Sequence, residues 1–206
     1  MVFVLIFITT IWLKFNLQEN IYYSLRIASF NIISILTGTG YTSLNFNLWG
    51  GFGLVIMFII MFIGGCAGST TGGVKIFRLQ ILFGSAKSQI KKLNQPHGVF
   101  VTSFNQKTVA ENTYNSIMGF FFMYILVFIL AAIILSFLGL DFLTAISASA
   151  SAISNVGPGL GNIIGPTGNY NIITTEAKWV LSLTMLIGRL ELFTFLVLLS
   201  LSFWKK

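Results

Sequence analysis

The stretch IMGFFFMYILVFILAAIILSFL, residues 117–138, determines the solvent in which this chain folds. It holds 22 consecutive residues without a charged side chain, and a helix needs about 20 mostly apolar residues to cross a bilayer. The alternative is a helix buried inside a water-soluble protein, but the rest of the chain is not polar enough to cover it. We therefore predict a membrane-spanning helix over residues 112–138.

The composition of the whole chain supports a bilayer environment. The 206 residues are 55% hydrophobic and only 8% charged, whereas soluble proteins average about 25% charged residues. A single Cys and a single His exclude disulfide frameworks and multi-ligand Cys/His metal sites within this chain. The acids are isolated and no paired His, Cys or Ser arrangement is present, so we predict an all-α integral membrane protein that is not an enzyme.

Two further apolar segments flank the chain. Residues 176–204 are apolar except for Arg189 and Glu191, and they are long enough to cross the bilayer with tilt. Residues 2–13 are too few to span alone. We expect them to be the outer half of a helix whose start is missing, so that the chain is truncated at its N-terminus.

The distribution of basic residues predicts the orientation. They are concentrated between apolar stretches and at the end of the chain, at Lys75, Arg78, Lys87, Lys91, Lys92, Lys107, Lys205 and Lys206. By the positive-inside rule, residues 75–107 and the C-terminus are cytoplasmic, and residues 14–49 and 139–178 face outside. The net charge of +7 then reflects topology, so the lipid bilayer is a partner and no nucleic-acid partner is indicated.

An internal repeat organises the outer segments. A short helix over residues 20–36 runs directly into TGTGY, and a second over residues 141–153, with Asp141 as a plausible N-cap, runs into SNVGPGLG. The order of spanning helix, short helix, Gly-containing loop and spanning helix therefore occurs twice. Gly40 and Gly157, 117 residues apart, occupy equivalent places in the two loops.

Irregular backbone at membrane depth predicts a polar pathway. Such backbone is tolerated only where protein buries it or where it lines a watery cavity. A half-helix followed by a Gly-rich loop is how cation filters are built, because Gly reaches backbone angles that turn successive carbonyl oxygens toward one axis. The partly negative C-terminal end of each short helix points to the same place and adds attraction for a cation.

These features resemble the bacterial Trk/Ktr potassium-uptake family over almost the whole chain. The resemblance rests on TGTGY, SNVGPGLG, the Gly-rich GGCAGSTTGG at residues 64–73, the basic helix after it, and KWVLSLTMLIGRLELFTFLVLLSLSFWKK at the C-terminus. It implies the C-terminal half of a subunit in which four helix, pore-helix, helix repeats surround one pore. Residues 1–93 then form the third repeat, residues 94–111 a cytoplasmic linker and residues 112–206 the fourth repeat.

The resemblance also assigns the filter to residues 37–42 and 154–159. The filter residues so implied are Thr37, Gly38, Thr39, Gly40, Tyr41, Asn155, Val156, Gly157, Pro158 and Gly159. The transported ion would be K⁺, held by backbone carbonyls of Thr39, Gly40, Val156 and Gly157, with no cofactor in this chain. Both loops depart from the TVGYG of tetrameric potassium channels, which fits a looser discrimination between K⁺ and Na⁺.

The Gly-rich stretch at residues 64–73 predicts a broken inner helix over residues 51–93. Five glycines among ten residues do not sustain a helix, and the hydroxyls of Ser69, Thr70 and Thr71 can replace lost backbone partners. The resemblance implies an intramembrane loop that blocks conduction until it moves. The gate residues so assigned are Gly64, Gly65, Gly68, Ser69, Thr70, Thr71, Gly72, Gly73 and Arg189.

Residues 64–73 have two other possible interpretations, a phosphate-binding loop and a helix-packing surface. A phosphate-binding loop is disfavoured because Val74 separates Gly73 from Lys75, and Ile76 stands where the Mg²⁺-binding hydroxyl belongs. A close-packing surface for a neighbouring helix stays open, and it is compatible with gating.

Arg189 is a charge near mid-membrane and needs a partner. Such a position costs at least about 2.5 kcal/mol, and Glu191 points to a different side of the helix. One interpretation pairs Arg189 with backbone carbonyls of another helix. The one we favour, which the resemblance also implies, is that it reaches carbonyls or hydroxyls of residues 64–73 and holds the loop closed. Glu191 is expected to form a salt bridge with a neighbouring element.

The predicted function is passive K⁺ transport through a backbone-carbonyl filter. The alternatives are a Na⁺ or mixed monovalent cation pathway of the same fold, and a non-conducting fragment or packing module. Two repeats cannot enclose an axis that requires four filter segments, so the N-terminal half of the pore is expected as a missing or separate chain, or two copies of this chain assemble. A homodimer of complete subunits in the plasma or inner membrane is expected.

Residues 75–92 alternate basic and apolar side chains. This pattern predicts either a helix at the cytoplasmic lipid surface or, as the resemblance implies, contact with nucleotide-binding regulatory subunits. Any nucleotide would bind that partner, because this chain shows no nucleotide fingerprint.

Overall fold

The computed structural model describes residues 1–95, 98, 103–104, 107–190, 197 and 204. Its helices are α1 (Val2–Leu17), α2 (Ile21–Leu36), a 3₁₀ turn (Phe46–Trp49), α3 (Gly50–Phe62), α4 (Ile76–Asn94), α5 (Glu111–Phe137), α6 (Phe142–Ser154), α7 (Gly161–Ile164) and α8 (Thr175–Arg189). The strands of the described residues are the two-residue segments β1 (Ile63–Gly64), β2 (Val74–Lys75), β3 (Ser103–Phe104) and β4 (Lys107–Thr108). The all-α membrane fold predicted from the sequence is confirmed.

The helix order repeats. Helices α1, α2 and α3 form one unit and α5, α6 and α8 form another, with α2 and α6 as the short pore helices. Each pore helix begins at a side-chain cap: Asn20 accepts the Tyr22 N–H at 3.3 Å, and Asp141 accepts the Thr144 N–H at 3.2 Å. The predicted N-cap at Asp141 is confirmed, and both helix starts follow from the local sequence because a side-chain oxygen satisfies a free helical N–H.

Helix α5 is the longest apolar element. Its segment Asn112–Phe137 has 26 residues with a mean hydropathy of 2.8, and it is the one helix in the described part of the chain that could cross a bilayer unaided. The predicted last helix, residues 176–204, begins as α8. Apart from residues 197 and 204, its second half lies outside the described residues, as do Glu191, Lys205 and Lys206.

The pore helices form the centre of the packing. Helix α6 is built almost entirely of Ala, Ser and Ile, and every residue from Thr144 to Ser154 except the half-buried Ile146 is buried. Small side chains let α5 and α8 approach it closely. Around α2, the side chains of Leu13, Ile32, Trp49 and Met57 are completely buried between α1 and α3. Both pore helices are therefore held from the side by their neighbouring helices.

The inner helix of the first unit is broken, as predicted. Helix α3 ends at Phe62, and α4 begins at Ile76. Between them, β1 and β2 pair in parallel, with Ile63 opposite Val74 and Gly64 opposite Lys75. This pairing, which the sequence did not indicate, closes the neck of the loop at residues 65–73.

Candidate ion pathway

The two loops after the pore helices share one backbone conformation. Gly38 has a φ of 67° and Asn155, its equivalent in the repeat, has a φ of 54°. Two residues later, Gly40 has a φ of 77° and Gly157 a φ of 108°. Left-handed residues that alternate with ordinary ones turn successive carbonyls to the same side. The loops thus have the backbone geometry expected of cation-binding segments.

Each pore helix anchors its loop through a serine at the same position. The backbone oxygen of Ser34 accepts the Thr39 N–H at 2.9 Å, and that of Ser151 accepts the Val156 N–H at 3.0 Å. Neither loop amide is then left without a partner at membrane depth. The repeat inferred from the sequence therefore extends to individual hydrogen bonds.

The serine hydroxyls bind the loops in different ways. Ser34 Oγ donates to the Tyr41 carbonyl at 2.6 Å, whereas Ser151 Oγ accepts the Gly157 N–H at 3.1 Å. The two segments are related in backbone conformation, but they are not identical in how they are held.

The outer ends of both loops are also tied to the pore helices. Asn31 of α2 donates to Ser43 Oγ at 2.8 Å and accepts the Ser43 N–H at 3.2 Å. Ser147 of α6 donates to the carbonyl of Leu160, the equivalent of Ser43, at 3.2 Å. Each loop is therefore fixed to its pore helix at both ends.

The two loops touch each other. A Cβ on Gly40 would overlap the Val156 carbonyl oxygen, and one on Gly38 would lie 3.5 Å from the Asn155 carbonyl oxygen. Only a residue without a side chain allows the first of these approaches. The structure therefore brings the predicted filter segments into contact, with the carbonyl oxygens of Asn155 and Val156 beside the first loop.

The carbonyls predicted to bind K⁺ differ in their partners. Among the hydrogen bonds of the described residues, those of Thr39, Gly40 and Val156 accept none. The Gly157 carbonyl instead accepts the phenol O–H of Tyr170 at 2.7 Å. Sequence reasoning missed Tyr170, since no local signal links it to a loop 13 residues earlier.

Three further predicted filter residues, Thr37, Gly159 and Tyr41, differ in how they are held. Thr37 Oγ1 donates to the Ile33 carbonyl at 2.7 Å and lies 2.8 Å from Thr39 Oγ1. The Gly159 N–H donates to the Ile164 carbonyl at 2.8 Å. Tyr41 has 72% of its side chain exposed. The bonds of Thr37 and Gly159 therefore hold the two ends of the predicted filter segments.

The loop at residues 65–73 is held by its own hydroxyls. Thr71 Oγ1 accepts the Gly65 N–H at 2.9 Å and lies 2.7 Å from Ser69 Oγ. Ser69 Oγ in turn donates to the Cys66 carbonyl at 2.8 Å. The expectation that hydroxyls replace lost helical partners is confirmed for Ser69 and Thr71, while Thr70 makes no such bond within the described residues.

This loop lies against the inner end of α6. A Cβ on Gly72 would overlap the Ser154 carbonyl oxygen and lie 3.2 Å from the Asn155 Cβ. Ser154 is itself fixed by Tyr124 of α5, whose phenol oxygen lies 2.7 Å from Ser154 Oγ. The loop is thus in direct contact with the base of the segment at residues 154–159.

The predicted contact of Arg189 is not present. Within the described part of the chain, the exposed Arg189 makes no hydrogen bond to the loop at residues 65–73. Lys75 does, because its Nζ donates to the Ala67 carbonyl at 3.1 Å. The sequence analysis looked for a partner of this loop on the last helix, at Arg189, and so missed Lys75 at the end of the loop itself.

Comparisons with known proteins give a consistent result. The family model for TrkH, described as a cation transport protein, matches residues 2–205. The chain is 42% identical over 197 residues to the Trk system potassium uptake protein TrkI of Halomonas elongata. It is 38% identical over 193 residues to the potassium uptake protein TrkH of Vibrio parahaemolyticus. The crystal structure of the potassium transporter TrkH from the latter organism superposes with a TM-score of 0.91 at 35% identity.

The matches cover nearly all of this chain but less than half of each relative. The alignment with TrkI takes in 96% of this chain and 40% of that protein. For the Vibrio TrkH protein the shares are 94% and 39%. Its crystal structure is matched over 99% of this chain and 43% of that chain.

Proposed function

Because this chain belongs to the TrkH family of cation transport proteins, we propose that it forms part of a transmembrane K⁺ pathway. Residues 37–42 and 154–159 supply two of its filter segments. The proposal of K⁺ as the ion rests on relatives that are named potassium uptake proteins. The chain spans about two fifths of their length. In our proposal, further filter segments come from outside this chain.

The observation that carries this proposal is the matched backbone of the two loops. Positive φ angles recur at the same two positions, and the loops touch through Gly40 and Val156. Carbonyl oxygens directed to one axis replace the water around a permeating cation. The C-terminal ends of α2 and α6, each equivalent to about −0.5 charge, add attraction without any acidic side chain.

A pathway for Na⁺ or for several monovalent cations is the second candidate. The loops TGTGY and NVGPG both depart from the TVGYG of tetrameric potassium channels. This departure favours a filter that discriminates less strictly between K⁺ and Na⁺.

Residues 64–73 form the gate of this pathway in our proposal. Support comes from their contact with Ser154, directly below one filter segment. The loop is held by few hydrogen bonds and by a two-residue strand pair, so its displacement requires little unfolding. Arg189 stays part of the proposed gate as a positive charge at the end of α8.

The partners and topology follow from the same proposal. The N-terminal half of the pore, a second complete subunit and the lipid bilayer complete the assembly in the plasma or inner membrane. Helix α4 carries Lys91 and Lys92 in its last turn, which supports a cytoplasmic position near the headgroups or a nucleotide-binding regulatory subunit. The loops after α2 and α6 then face outside.

The test is ion flux through the complete assembly that contains this chain. The assembly is reconstituted into vesicles, and K⁺ and Na⁺ uptake are followed with radiotracers under an imposed gradient. Higher K⁺ than Na⁺ uptake supports the proposal. Equal uptake supports the mixed pathway, and absence of uptake of both ions supports a packing module without conduction.

A second experiment tests the gate. Deletion within residues 64–73, or Arg189→Ala, should raise resting flux in the complete assembly. If neither change alters flux or its regulation, the gate lies elsewhere.

A further inference from the structure

The peptide groups of Gly157 are held from two sides. Its N–H donates to Ser151 Oγ at 3.1 Å, and its carbonyl accepts the Tyr170 phenol at 2.7 Å. A Cβ at this position would have no described atom within 4 Å. Packing therefore does not fix this part of the loop, and the two hydrogen bonds do.

The first repeat has no counterpart to the phenol bond. Among the described residues, no hydrogen bond reaches the Gly40 carbonyl. Tyr170 therefore makes the two segments unequal at the position where their carbonyls are expected to meet the ion.

The phenol is placed by a well-anchored loop. The Tyr170 ring packs against the apolar cluster that includes Leu135, Ala148 and Ile173. Beside it, Lys178 Nζ donates to the Asn171 carbonyl at 3.1 Å, which ties the loop to α8. Because ring and loop are both held, the hydroxyl stays in a fixed direction toward Gly157.

We propose that Tyr170 is a specificity-determining positioning residue, whose phenol O–H fixes the Gly157 carbonyl and thereby the selectivity of the filter. The inference rests on the proposed function of residues 154–159. A carbonyl that accepts a hydrogen bond from a phenol is a weaker and more rigid ligand for a cation. Both the field strength and the flexibility of carbonyl ligands affect the choice between K⁺ and Na⁺. Without the hydroxyl, the peptide is free to reorient.

The test compares Tyr170→Phe with Tyr22→Phe in the complete, reconstituted assembly. Tyr22 is the matched control because its ring is 79% exposed at the start of α2. Tyr170→Phe should lower the K⁺/Na⁺ permeability ratio about fivefold, the effect of one lost neutral hydrogen bond. K⁺ conductance should persist, and Tyr22→Phe should keep the wild-type ratio. A purely structural role would change the amount of folded protein but not the ratio.

The outcomes separate this inference from the proposed function. If the wild-type assembly conducts no cation, the filter assignment itself fails. If it selects K⁺ and Tyr170→Phe selects K⁺ equally well, only the role of Tyr170 is overturned. Should Tyr170→Phe not assemble, Tyr170→Met removes the phenol O–H while placing a flexible apolar side chain in the same cluster. An unchanged ratio in that variant overturns the inference as well.

Discussion

The side chain of Asn155 joins the proposed filter segment to α8, because its Nδ2 donates to the Met185 carbonyl at 3.0 Å. Asn155 is also the left-handed residue that ends α6, with a φ of 54°. Its Cβ faces Gly72 of the intramembrane loop, and its amide nitrogen lies 3.1 Å from where a Cβ on Gly188 would be. Asn155, which lies in the proposed filter segment, therefore contacts both the proposed gate and α8.

Substitutions at Asn155 should separate its backbone and side-chain roles. Asn155→Gly keeps the left-handed conformation but loses the bond to Met185, at a cost of about 1 kcal/mol of stability. Asn155→Ala loses the bond and adds about 1 kcal/mol of left-handed strain. Thermal unfolding in detergent should rank wild type above Gly and Gly above Ala. An Ala variant as stable as the Gly variant would show that the left-handed conformation is not required.

Gly157→Val should abolish K⁺ selectivity or flux. One would expect a side chain at a filter glycine to crowd the neighbouring backbone. A Cβ at Gly157 would meet no described atom within 4 Å, so steric crowding does not explain the expected loss. The reason is the φ of 108°, which a β-branched residue cannot adopt without strain. Gly139→Val is the matched control, because Gly139 has a φ of 92°, equally open space, and a position outside the filter.

The measurement for this pair is the K⁺/Na⁺ flux ratio together with the yield of folded protein. Both variants should lose yield. Only Gly157→Val should lose selectivity, and unchanged selectivity in that variant would refute the assignment of this segment to the filter.

Gly72→Ala should raise resting flux. The new methyl group would overlap the Ser154 carbonyl oxygen and push the loop away from the end of α6. Gly68→Ala changes the same loop, but its methyl group would meet no described atom within 4 Å, so its effect should be smaller. Radiotracer uptake without any activating ligand measures both. A larger resting flux in Gly68→Ala than in Gly72→Ala would contradict the idea that the contact with Ser154 keeps the pathway closed.

Thr71→Val should loosen the closed loop. It removes the acceptor of the Gly65 N–H and the partner of Ser69 Oγ, and one lost hydrogen bond of about 1 kcal/mol shifts the open population about fivefold. Thr70→Val is isosteric and changes a hydroxyl that bonds to none of the described residues. Single-channel recording or tracer flux should show a higher open fraction for Thr71→Val alone. Equal effects would mean that the hydroxyl network does not hold the loop.

Acid should weaken the cap of α6. Hydrogen bonds from Thr144 lower the pKa of the Asp141 carboxyl below its ordinary value of 3.8. The folded state therefore gains stability above pH 3.8 that is lost as the pH falls through the lower, folded pKa. Asp141→Asn keeps a cap without a titrating group, and relative to that variant Asp141→Ala should cost about 1 kcal/mol at any pH.

Thermal unfolding between about pH 5 and pH 3 tests this. Wild type should lose stability relative to Asp141→Asn over that range. Parallel curves for the two proteins would show that Asp141 does not contribute through its charge.

Local signals account for the parts of the fold that the sequence could predict. The cap at Asp141, the end of α3 beside a Gly-rich stretch and the equivalence of Gly40 and Gly157 each depend on residues within a few positions of one another. Propensity, capping and backbone freedom act over that range. The uninterrupted apolar run at residues 117–138 likewise predicts a membrane environment from local sequence, because length and hydropathy are properties of one segment.

The partners of individual groups required the assembled structure. Tyr170 reaches the Gly157 carbonyl, Lys75 rather than Arg189 binds the loop, and Asn155 binds α8. The last of these joins elements far apart in the chain, and all three depend on where side chains point after packing. A sequence specifies which groups need partners at membrane depth, because unpaired polar groups are costly there. Only the tertiary structure decides which partner each one finds, because several donors and acceptors of similar chemistry compete within reach.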